Sequence, residues 1–407
     1  MKCGLLGRKL GHSYSPQIHA LLGNYSYQLF EKEPEEIGDF LKNGDFTGLN
    51  VTIPYKKEVI PFLDELSPAA ARLGAVNTIV RRDGKLIGHN TDYFGFRRLV
   101  QESGLQVAEK KVLVLGSGGA SSTAVAVLQE LGAKVTVISR SGENNYENLD
   151  RHADAAVIAN TTPVGMYPNT GKSALSLEGF PRLEGVLDAV YNPARTQILL
   201  DAERRGLAAV NGLWMLVAQA KESAEWFTGE EIPDSRIAKI HHTLRLQMEN
   251  IILIGMPGCG KTAVGQQLAQ KLGKKFVDAD ESLEARVCRK ITDIIPNDGE
   301  AAFREMESET LAELGKQSGL VIATGGGCVT QPQNYPLLHQ NGTIFWLKRE
   351  LDKLPTDGRP LSQKGTLGQM YEARMPLYLR FADAAISNDG SIAETASAIC
   401  RKLEETT

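Results

Sequence analysis

The stretch GMPGCGKT spaces Gly255, Gly260, Lys261 and Thr262 as a loop that cradles phosphates. Backbone N–H groups at Gly255, Gly258, Cys259 and Gly260 can hold phosphate oxygens. Lys261 can reach the β and γ oxygens of ATP, and Thr262 can hold Mg2+. The loop alone leaves the phosphoryl acceptor open. In FVDADESLE, Asp278 and Asp280 stand two apart at a strand end, so both are expected to point the same way. One would serve the metal through water and the other an acceptor hydroxyl; a helix-start cap is the alternative for either one. Arg304 and Glu307 fall at i, i+3 on a helix, where a surface ion pair also fits. Gly325, Gly326 and Gly327 bring bare backbone close to a ligand, and Arg359 and Arg374 add cations downstream.

A second glycine turn lies upstream, in GSGGAS. Gly116 permits a tight turn, Ser117 follows it, and Gly118, Gly119 and Ala120 lead into a helix whose N-terminus favours a pyrophosphate. Ser121 stands where a third glycine or alanine is usual, so a bland strand-to-helix turn stays open. The next strand ends in Ser139, Arg140 and Ser141 rather than an acid. That suits the 2′-phosphate of NADP, against the alternative of a solvated surface arginine. Earlier still, GHSYSPQIHALL carries Ser13 and Ser15, NVTIPYKK carries Thr52 and Lys56, and GAVNT and GHNTDYFGF carry Asn77, Asn90 and Asp92. Each has a plain reading as well: Ser15 as a helix N-cap before Pro16, Lys56 as a surface charge, Asp92 as the cap of the following helix.

These residues need elements to hold them. Short β-branched runs, each followed by a helical pattern, recur from KCGLLG through KVLVLG and IILIGM to GTIFWL. The alternation predicts α/β units with parallel sheets. A boundary is expected near residues 246–249, where a helix gives way to a fresh buried strand, and another near residues 94–107. The 407 residues suit two or three domains. A net charge of -4, with no basic excess in either half, argues against nucleic acid as a partner. No apolar run is long enough for a membrane span, and the N-terminus is too short in apolar residues for a signal peptide. Five scattered cysteines predict neither a zinc site nor disulfides, so the expectation is a reduced, soluble, cytoplasmic protein. His241 and His242 are expected on the surface with no role.

Eight segments follow one another in the order found in shikimate dehydrogenases: GxxGHSxSPxIH, NVTIPYK, GAVNT, GxNTDxxGF, GSGGAS, NTTPVGM, VYNPxRT and GLWMLVAQA. The resemblance spans nearly all of residues 3–245 and implies reduction of 3-dehydroshikimate by NADPH. By that pattern Lys56 and Asp92 are the catalytic pair. Ser13, Ser15, Thr52, Asn77, Asn90, Tyr191 and Gln219 take the substrate, and Thr161 joins the NADP residues. Residues 249–407 resemble shikimate kinase, which implies ATP-dependent phosphorylation of shikimate. There Asp280 is the contact to the 3-hydroxyl and candidate base, and Asp278 lies near Mg2+. Arg304, Arg374 and the Gly325–Gly327 backbone grip the carboxylate, and Arg359 is the lid arginine over the phosphates. The lid LDKLPTDGRPL is short and lacks the adenine-stacking arginine common before it. The resemblance divides the chain into a substrate domain over residues 1–95, completed by helices at about 212–247. A Rossmann NADP domain follows over 96–211 and a P-loop kinase domain over 248–407. Quinate is the competing dehydrogenase substrate. A ligand-sensing regulator is the competing class, but it predicts eroded catalytic positions, and Lys56, Asp92, Lys261, Thr262 and Asp280 all stand.

Overall fold

The computed structural model describes residues 1–11, 13–354 and 367–405. The chain divides into two compact units. One holds Met1–Val164, Ser173–Tyr191 and Ile198–His242; the other holds Gly165–Lys172, Asn192–Gln197 and Thr243–Thr407.

Two sheets build the first unit. The strands β1 (Lys2–Gly7), β2 (Ser26–Glu31), β3 (Gly48–Val51), β4 (Glu65–Leu66), β5 (Thr78–Arg82) and β6 (Lys85–His89) form one sheet in the order β2-β1-β3-β5-β6-β4. It is mixed rather than parallel, because β5 pairs antiparallel with both β3 and β6. The reversal is local: Asp83 and Gly84 both take positive φ, the geometry of a two-residue hairpin turn for which Asp-Gly is a favoured sequence. Buried Leu6, Leu49, Val51, Val76 and Ile79 form the core under this sheet.

The second sheet is parallel throughout: β7 (Lys111–Leu115), β8 (Lys134–Ile138), β9 (Val157–Asn160), β10 (Gly185–Asp188) and β11 (Ala208–Val210), in the order β11-β10-β9-β7-β8. Both faces are covered, and β9 and β10 are buried along their whole length. That is why these strands read as unbroken apolar runs instead of alternating ones. The helix Asp92–Glu102 passes between the sheets in sequence and packs on the helix Leu213–Thr228. Gly95 makes this possible: a Cβ there would stand 2.7 Å from the Met215 carbonyl and 3.0 Å from Gln219 Cβ. His241 is not an idle surface residue, since its ring stacks on Trp214 with centroids 3.7 Å apart.

The second unit carries β12 (Asn250–Ile254), β13 (Lys275–Asp278), β14 (Leu320–Ala323), β15 (Gly342–Lys348) and β16 (Ala384–Ser387), all parallel, in the order β13-β14-β12-β15-β16. β12 is the central strand and fully buried. It ends where the glycine loop GMPGCGKT begins, so the loop opens at the carboxyl edge of the sheet, where open α/β sheets take their ligands. Among the described residues, no helix is long and apolar enough to cross a membrane. All five cysteines carry free thiols.

Candidate active sites

In the first unit, the loop after β3 and the start of the helix Asp92–Glu102 bring Lys56 and Asp92 together, with Nζ 2.5 Å from Oδ2. Asp92 therefore does not spend its carboxylate as a helix cap. It is the first helical residue, Thr91 is the N-cap, and the Asp92 N–H is taken by Asn90 Oδ1 at 3.1 Å. The Asn90 amide donates in turn to the Ala75 carbonyl at 2.9 Å. The lysine side chain is 28% exposed and the aspartate 13%, so solvent reaches the pair only in part.

Asn77 sits beside them on a buried hydrogen-bond network. Its Oδ1 accepts the Thr91 N–H at 2.7 Å and its Nδ2 donates to Thr91 Oγ1 at 3.0 Å. These partners fix which end of the amide is oxygen and leave one N–H for a ligand. Ser223 stands at the centre of the network. It accepts from Asn50 Nδ2 at 2.7 Å, lies 2.9 Å from Thr78 Oγ1 and 3.0 Å from Thr91 Oγ1, and donates to the Gln219 carbonyl. Gln219 is held through Nε2 to the Leu216 carbonyl at 2.9 Å. Ser223 is one of the residues that the sequence reading overlooks. The signal was available: it lies four residues after Gln219 on one helix face.

Ser15 departs from expectation. The helix Ser15–Leu22 has Tyr14 as its N-cap, and Ser15 is its first residue. Its N–H is accepted by Ser13 Oγ at 3.2 Å, and both serines are half-buried. Tyr191 packs edge-on against Tyr14, with centroids 6.2 Å apart, and burial raises its phenol above the ordinary value. Thr52 is half-buried at the end of β3, its N–H on the Leu6 carbonyl.

The glycine turn after β7 is open. Gly116 has φ +110, and a Cβ there would meet Thr161 Oγ1 at 3.1 Å; Thr161 itself is tied to the Leu115 carbonyl. A Cβ on Gly118 or Gly119 would meet nothing within 4 Å, which leaves room for a pyrophosphate over the helix Gly119–Glu130. Ser117 is exposed and Ala120 half-buried on the same turn. At the tip of β8, Ser139 is half-buried while Arg140 and Ser141 are exposed.

In the second unit, a cavity of about 420 Å³ opens beside the loop. Its walls include Lys261, Thr262, Asp278, Asp280, Arg304, Gly325–Gly327 and Arg374. Lys261 Nζ rests on the carbonyls of Gly255 and Met256 at 3.0 and 3.1 Å. Gly255, Gly258 and Gly260 all have positive φ, while the Cys259 side chain is buried. Thr262 Oγ1 donates to Asp278 Oδ2 at 3.0 Å, so hydroxyl and carboxylate share one spot that suits Mg2+ with its phosphate and water ligands.

Asp278 and Asp280 reach the cavity by a route other than a shared strand face. β13 ends at Asp278, which caps the helix Ala279–Val287 by accepting from the Asp280 N–H at 3.0 Å. Asp280 lies in the first turn of that helix. Burial, then the neighbouring charges of Glu307 and Asp278, push its carboxyl up to about 6. Arg304 and Glu307 are a buried pair at 2.7 Å, 7% and 2% exposed, and not a surface one. Burial opposes the Arg304 charge, but Glu307 and Glu300 outweigh it, and the guanidinium sits above its ordinary value. Arg304 Nε and Glu307 Oε1 are buried without hydrogen-bond partners, as expected of groups that meet a polar ligand. The glycine run is tight for a reason: a Cβ on Gly325 would stand 2.5 Å from Glu307 Oε1, and one on Gly327 would strike Arg304. Arg374 donates to the Gly326 carbonyl at 3.3 Å. Arg359 lies outside the described residues.

Comparison with known proteins assigns both parts of the chain to families. Residues 5–79 match the shikimate dehydrogenase substrate binding domain model, and residues 257–404 match the shikimate kinase model. The chain is similar to the shikimate dehydrogenase (NADP(+)) of Clostridium perfringens (strain SM101 / Type A), with 37% identity over 264 residues, 60% of this chain and 97% of that protein. It is similar to the crystal structure of shikimate dehydrogenase 1 from Peptoclostridium difficile, with TM-score 0.55 and 38% identity, covering 60% of this chain and 98% of that one. The shikimate 5-dehydrogenase of Thermus thermophilus, solved with NADP(H) and shikimate, matches with TM-score 0.54 and 30% identity over 60% of this chain and 99% of that one.

Proposed function

Since the chain belongs to the shikimate dehydrogenase family and carries a shikimate kinase domain behind it, a bifunctional enzyme of the shikimate pathway, we propose that it reduces 3-dehydroshikimate with NADPH and then phosphorylates the product from ATP. The observation that carries the reading is the presence of two separate reaction centres in one chain. One is built on Lys56–Asp92, the other on the phosphate loop with Asp280. We read residues 1–95 with about 212–247 as the substrate domain, 96–211 as the NADP domain and 248–407 as the kinase.

NADPH, when bound over Gly116–Ala120, supplies the hydride. Lys56 stabilises the negative charge that forms on the substrate oxygen and delivers the proton to it. Asp92 holds the ammonium in place and takes a ring hydroxyl. Asn77, with its single uncommitted N–H, meets a hydroxyl oxygen, while Ser13, Ser15, Thr52, Asn90, Tyr191 and Gln219 complete the pocket. In the kinase, ATP with Mg2+ supplies the phosphoryl group. Lys261 and the loop amides would hold its oxygens, and Thr262 with Asp278 would hold the metal, Asp278 through water. Asp280 accepts the proton of the 3-hydroxyl, and Arg304 and Arg374 pair with the carboxylate. The resemblance also implies a phosphate-binding role for Arg359, which lies outside the described residues.

Mixing the protein with 3-dehydroshikimate, NADPH and Mg-ATP tests both halves. NADPH consumption followed by ADP formation is expected; absence of either removes the corresponding half. Arg140 bears on the choice of cofactor, because its guanidinium suits a 2′-phosphate. Arg140→Asp is expected to lower the NADP-to-NAD ratio of kcat/KM by roughly 10- to 100-fold, the worth of one charge-assisted contact. An unchanged ratio means that another residue reads the 2′-phosphate.

A further inference from the structure

Arg374 and Tyr378 stand four apart on the helix Leu367–Phe381 and so share one face of it. Tyr378 is fully buried: its ring stacks on Trp346 of β15, with centroids 5.6 Å apart, and belongs to the core around β12. A buried phenol needs a partner for its proton, and here that partner is the Gly326 carbonyl. Met256 Sδ, at 3.8 Å, is a weak acceptor by comparison. Burial holds the phenol above its ordinary value, so the proton stays on it at working pH. The same carbonyl takes a second, longer hydrogen bond from Arg374 Nη1 at 3.3 Å.

Gly326 is the middle residue of a glycine run, which has no side chain of its own to fix it. A Cβ on Gly326 would stand 2.7 Å from Pro257 of the phosphate loop, and one on Gly327 would strike Arg304. The peptide joining Gly326 to Gly327 is trans, so its C=O and N–H point in opposite directions. Anchoring the carbonyl on Tyr378 therefore turns the Gly327 N–H away from the core, on the cavity wall that Gly327 shares with Arg304 and Arg374. A carbonyl oxygen can accept two hydrogen bonds. When Arg374 turns to pair with an acceptor carboxylate, the tyrosine alone keeps this carbonyl in place.

We propose that Tyr378 is a positioning residue of the kinase: it anchors the Gly326 carbonyl and so aims the Gly327 N–H at the carboxylate of shikimate; this rests on the kinase reading above. Phenylalanine in its place keeps the packed ring and removes only the donor. In the full-length chain, Tyr378→Phe is expected to raise KM for shikimate about tenfold, the worth of one buried hydrogen bond. The kcat, the KM for ATP and the dehydrogenase rate should stay within about twofold, because a contact made equally in the ground and transition states acts on KM alone. An analogue of shikimate with hydrogen in place of the carboxyl should bind weakly but equally in variant and parent, whereas a general slackening of the kinase would weaken both ligands. An unchanged KM for shikimate overturns the proposal, and so does an equal loss with the analogue. With isotopically labelled glycine and no acceptor present, the Gly327 amide resonance of Tyr378→Phe should differ from the parent's; coincident resonances overturn the proposal too. That measurement reads the tyrosine even if the parent leaves shikimate unphosphorylated, which would remove the kinase reading instead, so the two failures are separable.

Discussion

Lys56→Met is expected to lower kcat for 3-dehydroshikimate reduction about 10³-fold while leaving KM within a few-fold and the kinase rate of the same chain intact. The reasoning starts from charge. A ketone carries little charge at its oxygen before hydride arrives and nearly a full one after, so a cation beside that oxygen acts mainly on the transition state. Lys56 is the cation the site offers, held 2.5 Å from Asp92 Oδ2. Methionine keeps most of the stem and removes both the charge and the proton. Electrostatic loss alone is worth about 10²–10³ and proton transfer about 10²–10⁴, but groups that act as a unit do not add, hence the intermediate figure. Steady-state NADPH consumption measures it, and shikimate phosphorylation by the same preparation reports whether the chain is folded. A variant that keeps a tenth or more of the parental kcat would falsify a proton-delivering role for Lys56.

The residues that carry chemistry were legible because glycine spacing and Lys-Thr order constrain backbone geometry directly. GMPGCGKT could be placed at a strand end, and β12 does end there. What surrounded them was less legible. β2 leaves no apolar run in the sequence, because its side chains are mostly exposed. β6 follows the Asp83-Gly84 hairpin turn, and its antiparallel pairing makes the first sheet mixed where parallel sheets are expected. Asp278 and Asp280 were expected on one strand face; the chain instead turns helical after Asp278, and a cap brings them to the same cavity. Arg304 and Glu307 also read as a surface pair, since charged residues are rarely buried unless partnered. Only the packing shows them 7% and 2% exposed, and only packing reveals Ser223 as the tie between Asn50, Thr78, Thr91 and Gln219. Charge and hydroxyl partners come together across distances in sequence that periodicity does not span.

Asp280→Asn is expected to cut phosphoryl transfer about 10²–10⁴-fold, and at the same time to stabilise the kinase unit at neutral pH. Both follow from the environment of one carboxyl. Burial, reinforced by Glu307 and Asp278, raises it from 3.8 to about 6. As a base it must be ionised, so kcat/KM for shikimate should climb with pH and level off above about 6, a limb absent from the asparagine variant. The same shift has the opposite sign for folding. The folded state binds this proton more tightly than the unfolded chain does, so the group favours folding at low pH. That contribution is lost as pH rises from 3.8 through about 6. Above that range the ionised carboxylate opposes folding, and asparagine, which cannot ionise, removes the opposition. Calorimetric unfolding at about pH 8 should therefore show the kinase transition of Asp280→Asn above that of the parent, with the difference shrinking toward about pH 4. If the two transitions coincide at the alkaline end, the carboxyl is not raised. If the activity limb is missing from the parent, a group other than Asp280 takes the proton. A carboxyl raised first by burial and then by neighbouring charge thus carries its cost in the resting fold, where it is poised to take a proton.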